Sequence, residues 1–110
     1  MQRFFLVIDP REEEGRALAT IASTGSPGAE AAWVPDAETA LDLLEEGRLV
    51  PSLVFCALEL PAMSGLEFLG EIHRRRWLER TPVAIVSSTA SDRQVVQAYR
   101  LGACTFLTRP

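Results

Sequence analysis

The sequence predicts an α/β fold built on a parallel sheet, and three observations carry that prediction. Short continuous apolar runs, typical of strands buried on both faces, recur along the chain. Segments with apolar residues at helical spacing alternate with them. Helix-start chemistry heads several of those segments, with Ser64–Glu67 and Ser91–Gln94 both fitting the capping box. A chain of 110 residues is one domain, residues 1–110, large enough for a single core.

Taken in order, Phe4 to Ile8 reads as the first strand. Asp9-Pro10 reads as an N-cap followed by proline at the first helical position, opening a helix over Arg11 to Ser23 with Ala17, Leu18, Ile21 and Ala22 at helical spacing. Ser23 to Glu30 is a Gly/Pro/Ser loop, and Ala31 to Val34 a second, weaker strand. Asp36 suits an N-cap for a helix whose face is Ala37, Ala40, Leu41 and Leu44 and which Gly47 ends. Leu53 to Leu58 is the third strand and Leu66 to Trp77 the third helix. Pro82 to Ser87, Asp92 to Leu101 (stopped by Gly102) and Thr105 to Leu107 complete the series as strand, helix and strand. Repeated units of this length imply right-handed crossovers between parallel strands. There are no internal repeats.

The bulk numbers exclude several function classes. A net charge of −4 argues against a nucleic-acid surface. The one basic cluster, Arg74-Arg75-Arg76 with Arg80 nearby, reads as the solvated end of a helix. Cys56 and Cys104 lie in apolar strand-like contexts without metal-type spacing, which suits free core cysteines. No segment approaches membrane-spanning length, and Asp9 ends the opening apolar run too early for a signal peptide, so a cytoplasmic protein is expected.

In parallel sheets the working site lies at the carboxyl ends of the strands. That makes Asp9, Ala57 to Glu59, Ser87-Ser88 and Thr108-Arg109 the candidates. Leu58-Glu59-Leu60-Pro61-Ala62-Met63-Ser64-Gly65, the run Pro82 to Ser87, Leu101-Gly102-Ala103 and the ending Arg109-Pro110 together resemble the response-regulator receiver (CheY-like) family, almost end to end from Phe4 to Pro110. The resemblance implies a doubly wound five-stranded parallel sheet in the order 2-1-3-4-5, with helices on both faces. It also implies a pocket in which two acids after the first strand and an acceptor aspartate after the third hold Mg²⁺. A Ser/Thr after the fourth strand and a Lys after the fifth would then contact the phosphoryl group. Mg²⁺ wants near-octahedral oxygen ligands, and phosphoryl transfer needs a nucleophilic carboxylate with positive charge beside it.

This chain keeps Asp9 as the first acid, but Pro10 stands for the second and Ala57 for the acceptor. Ser87 fits the hydroxyl position and Arg109 replaces the lysine. The expectation is a degenerate phosphoacceptor pocket of Asp9, Pro10, Ala57, Glu59, Ser87 and Arg109, with Mg²⁺ binding lost or weak, no cofactor and no catalytic residue. Glu59 is expected at the rim, where it tunes access at most. Ser87 has no histidine base in reach, since His73 falls on the surface of the third helix. An Asp9–Arg109 ion pair filling the vacated pocket stands beside a plainer alternative, a helix cap and a surface arginine. Phe106 matches a switch-type aromatic position and equally suits the core.

Receivers normally continue into a fifth helix, which this chain lacks. Truncation from a larger response regulator and homodimerisation through the bare surface are both open explanations. The function implied is a phosphorylation-independent signalling or scaffold module of two-component, phosphorelay type. Its partners would be proteins, such as a histidine kinase or an output protein, with no nucleic acid and no membrane. The partner face would include Val95, Gln97, Ala98, Tyr99, Arg100 and Thr105. A switch with a relocated acceptor, and a small-molecule site at the sheet edge without a Gly-rich phosphate loop, are the alternatives.

Overall fold

The structure, a computed structural model, describes residues 3–47, 50–77 and 80–109. Five strands, β1 (Phe4–Ile8), β2 (Glu30–Val34), β3 (Leu53–Ala57), β4 (Val83–Ser87) and β5 (Thr105–Thr108), alternate with four helices, α1 (Glu12–Thr24), α2 (Ala37–Glu46), α3 (Gly65–Arg74) and α4 (Asp92–Arg100). The strands form one parallel sheet in the order β2-β1-β3-β4-β5, as the resemblance implied.

Side chains of a strand alternate between faces, and the apolar runs therefore feed two layers. Leu6, Ile8, Val54, Cys56, Val83 and Ile85 point to one face, where they pack with Ala40 and Leu44 of α2, Phe68, Leu69 and Ile72 of α3, and Ala98 of α4. Nearly all of these are almost wholly buried, and burying one such aliphatic side chain stabilises the fold by about 1.5–3 kcal/mol. The opposite face carries Phe5 and Phe55, whose rings lie 6.3 Å apart, together with Ala57, Val86 and Leu107, and α1 lies along it.

The helix starts are as the sequence indicates for α2, α3 and α4. Asp36 accepts from the Thr39 amide at 2.7 Å, and Ser64–Glu67 and Ser91–Gln94 form complete capping boxes. The start of α1 is different. Arg11 is its N-cap, without a side-chain cap bond, and Pro10 lies outside the helix. The Asp9 carboxylate turns back to accept from the Arg11 amide at 2.9 Å, so it braces the loop rather than capping α1. The third helix also ends earlier than expected, at Arg74, because Arg76 adopts a left-handed conformation (φ 60°). The Trp77 amide then donates to the Ile72 carbonyl and the Arg76 amide to that of His73, a Schellman closure. Gly102 (φ 102°) closes α4 in the same way. Cys104 precedes β5 and is exposed, unlike the fully buried Cys56.

Candidate functional site

Parallel pairing aligns the strand ends: Ile8 with Cys56, Ala57 with Val86, Ser87 with Thr108. Asp9, Ala57, Ser87 and Arg109 consequently meet at one edge of the sheet. Gly65 is required for the same reason. A Cβ there would stand 2.4 Å from the Ala57 carbonyl oxygen, so only glycine lets α3 begin against the end of β3.

Asp9 is completely buried, and both of its carboxylate oxygens are engaged. Oδ1 accepts from the Arg11 amide and lies 3.5 Å from the Arg11 Nε; Oδ2 accepts from Arg109 Nη2 at 2.5 Å. The Asp9–Arg109 pair raised from the sequence is thus present. Arg109 Nη1 also donates to Glu14 Oε2 at 2.6 Å, and Arg11 Nη2 lies 2.7 Å from the same oxygen. Two carboxylates and two guanidinium groups therefore form a charge-balanced network, of which sequence reading found only half. Glu14 and Arg11 were missed because their part depends on where α1 starts; their separation by three residues on one helix face was the available signal.

Trp33 also escaped notice. Its indole donates to the Asp9 carbonyl at 2.8 Å, with the Arg16 guanidinium 5.1 Å over the ring. A Cβ on Gly15 would lie 2.2 Å from that indole, so Gly15 makes room for it. Burial and then the Asp9 charge push the Cys56 thiol far above the ordinary range, leaving it inert.

On the other side of the site, an open cleft of about 320 Å³ is lined by Pro10, Arg11, Ala57, Glu59 and Ser87, among others. The Ala57 methyl and the Pro10 ring offer no oxygen ligand. Glu59 lines the cleft and is exposed, and its hydrogen bonds across to the segment after β4 are what the sequence did not indicate. Its carboxylate accepts from the Ser87 hydroxyl at 3.1 Å and from the Thr89 hydroxyl at 2.8 Å. Among the described residues no group of three His, Cys, Asp or Glu side chains could hold a metal ion. The Asp9 carboxylate is thus taken up by cations and the Glu59 carboxylate by two hydroxyls.

His73 is exposed on α3, as expected. Phe106 packs partly buried against the core. Of the partner-face residues, Tyr99 is 50% exposed and Gln97 and Arg100 are exposed, while Val95 and Thr105 are half-buried. Ala98 is fully buried and is excluded from that face, because its small side chain packs beneath α4; Val96, unnamed from sequence, is 49% exposed there. The Tyr99 hydroxyl accepts from the Phe106 amide at 3.2 Å and ties α4 to β5. Among the described residues no helix is long and apolar enough to cross a membrane.

The sequence pattern of the family described as "Response regulator receiver domain" matches residues 5–110. Regulator of RpoS from Escherichia coli (strain K12) is 35% identical over 85 residues, which are 77% of this chain and 24% of that protein. The chain thus spans about a quarter of that relative's length. NtrX from Brucella abortus shares the fold at a TM-score of 0.83 with 30% identity, covering 100% of this chain and 24% of that one. The Mn(2+)-bound form of response regulator Rcp1 superposes with a TM-score of 0.87 at 24% identity, over 98% of this chain and 81% of its own.

Proposed function

This chain belongs to the response regulator receiver domain family, and from that premise we propose that it is a degenerate receiver, a signalling or scaffold module that works through protein contact without aspartyl phosphorylation. The observation that carries the proposal is Ala57 at the tip of β3, where the family's acceptor aspartate stands, beside an Asp9 whose two oxygens are held by Arg109 and Arg11. A methyl group cannot accept a phosphoryl group, and a carboxylate already paired with two cations has little to offer a divalent ion. On this reading the chain is not an enzyme, holds no Mg²⁺ or other cofactor, and acts in the cytoplasm as a single receiver module. Its partners, a histidine kinase or an output protein, dock on the α4–β5 face around Val95, Val96, Tyr99 and Thr105. Homodimerisation through the apolar groove between α1 and β5 belongs to the same proposal, supported by Ile21 and Leu107 at 66% and 40% exposure.

The test is two-dimensional NMR with Mg²⁺ and beryllofluoride, and mass spectrometry after incubation with acetyl phosphate. The expected result is no movement of the Asp9, Ser87 and Arg109 amides and no covalent adduct. A stable acyl phosphate on any residue would replace this reading with a switch that has moved its acceptor.

A further inference from the structure

Two of the segments that line the cleft beside Ala57 are hydrogen-bonded to each other. Glu59 leaves the loop after β3, and its carboxylate accepts hydrogen bonds from two hydroxyls of the segment after β4. Ser87 Oγ donates at 3.1 Å to Oε1, and Thr89 Oγ1 at 2.8 Å to the same oxygen. Ser87 Oγ in turn accepts from the Thr89 amide at 3.1 Å. A hydroxyl has one proton to give and lone pairs to spare. With the Ser87 proton spent on Glu59, its oxygen is oriented to receive the Thr89 N–H. The three bonds close a ring, and an ionised acceptor makes the two hydroxyl bonds the stronger kind. Ser87 is 3% exposed, so its partner is a requirement of burial.

The ring lies next to a helix start. Ser91, two residues past Thr89, is the N-cap of α4. At the far end of α4 the Tyr99 hydroxyl receives the Phe106 amide of β5. What holds Thr89 therefore bears on where α4 begins.

We propose that Glu59 is a built-in anionic ligand of the β4–α4 segment, taking both hydroxyls so that the segment and the first turn of α4 keep one arrangement with nothing added. This deepens the degenerate-receiver reading and rests on it: the hydroxyls beside Ala57 are satisfied from within the chain.

Amide hydrogen exchange and a titration with inorganic phosphate, both followed by NMR on the full chain, test the proposal. Glu59→Ala should speed exchange about tenfold at Thr89 and through the first turn of α4. Glu59→Gln, which keeps an acceptor without the charge, should fall between. Phosphate should move the Ser87 and Thr89 amides in Glu59→Ala and leave them in place in the parent chain. Unchanged exchange at Thr89 in Glu59→Ala, or equal phosphate shifts in both chains, would overturn the assignment. Neither readout involves phosphoryl transfer, so failure here is distinct from formation of an acyl phosphate, which bears on the degenerate-receiver reading alone.

Discussion

Asp9 carries its charge where water does not reach, and that fact sets the energetics of the site. Taking a carboxylate out of water costs several kcal/mol, which only close, well-directed partners offset. Arg109 and the Arg11 amide supply them. Arg109→Met is expected to destabilise the fold by about 2 kcal/mol in urea unfolding. That is less than the 3–5 kcal/mol of a fully buried pair, because Arg109 is 20% exposed and Arg11 stays within reach. Adding Asp9→Asn in the Arg109→Met background should recover part of the loss, since it removes the stranded charge. A further fall in stability would mean that the pair is not what holds this edge together. The Asp9–Arg109 half of the network was legible because strand-end positions in a parallel sheet are predictable from the order of elements. The reach of Glu59 was not. It follows the end of β3, where side-chain direction no longer alternates and depends on the loop's own path.

Among the elements, the most readable boundaries were those written in side chains. Asp36, Ser64 and Ser91 each donate their sequence identity directly to a cap, because a short oxygen-bearing side chain in extended backbone finds an unpaired amide two or three residues on. The end of α3 was hidden because its left-handed residue is Arg76 rather than a glycine. The compensation is local. Trp77 folds back onto the core, with the Arg75 guanidinium 5.0 Å over its ring. The Asp36 cap has a pH signature. Its hydrogen bond from the Thr39 amide, followed by that from the Thr39 side chain, lowers the carboxyl below its ordinary 3.8. A depressed folded-state value means stability that is present above the unfolded value and lost as pH falls through the folded one. Asp36→Ala should therefore cost about 1 kcal/mol at neutral pH, and the difference from the parent should shrink in acid below that range. Thermal unfolding followed at neutral and acid pH checks both the cost and its direction.

For the molecule as a whole, the two faces of the sheet are unequally dressed. Three helices cover Leu6, Ile8, Val54, Cys56, Val83 and Ile85, and this is the core that periodicity made visible. On the other face, α1 leaves a groove of about 460 Å³ beside Val86 and Leu107, and Ile21 opens into it. Apolar surface of this kind favours association. Sedimentation equilibrium should show self-association of the chain that Ile21→Glu with Leu107→Glu abolishes. A monomer at high concentration with and without the substitutions would remove the dimer from the proposal. The alternation of strands and helices was readable because it follows from the order and period of apolar runs, whereas the strand order β2-β1-β3-β4-β5 was expected only from the family resemblance. The contacts spanning the strand tips were only partly readable, since they depend on rotamers and loop paths that no period encodes.

The two sulfur atoms occupy opposite extremes of this fold. Cys56 is sealed within the sheet beside Asp9 and its ionisation is strongly suppressed, whereas Cys104, whose thiol partial burial also raises, is exposed to solvent just ahead of β5. An electrophilic dye applied under native conditions thus has one handle to grip. A fluorophore tethered there would sit next to the α4–β5 surface and report docking of a partner without any engineering of the polypeptide.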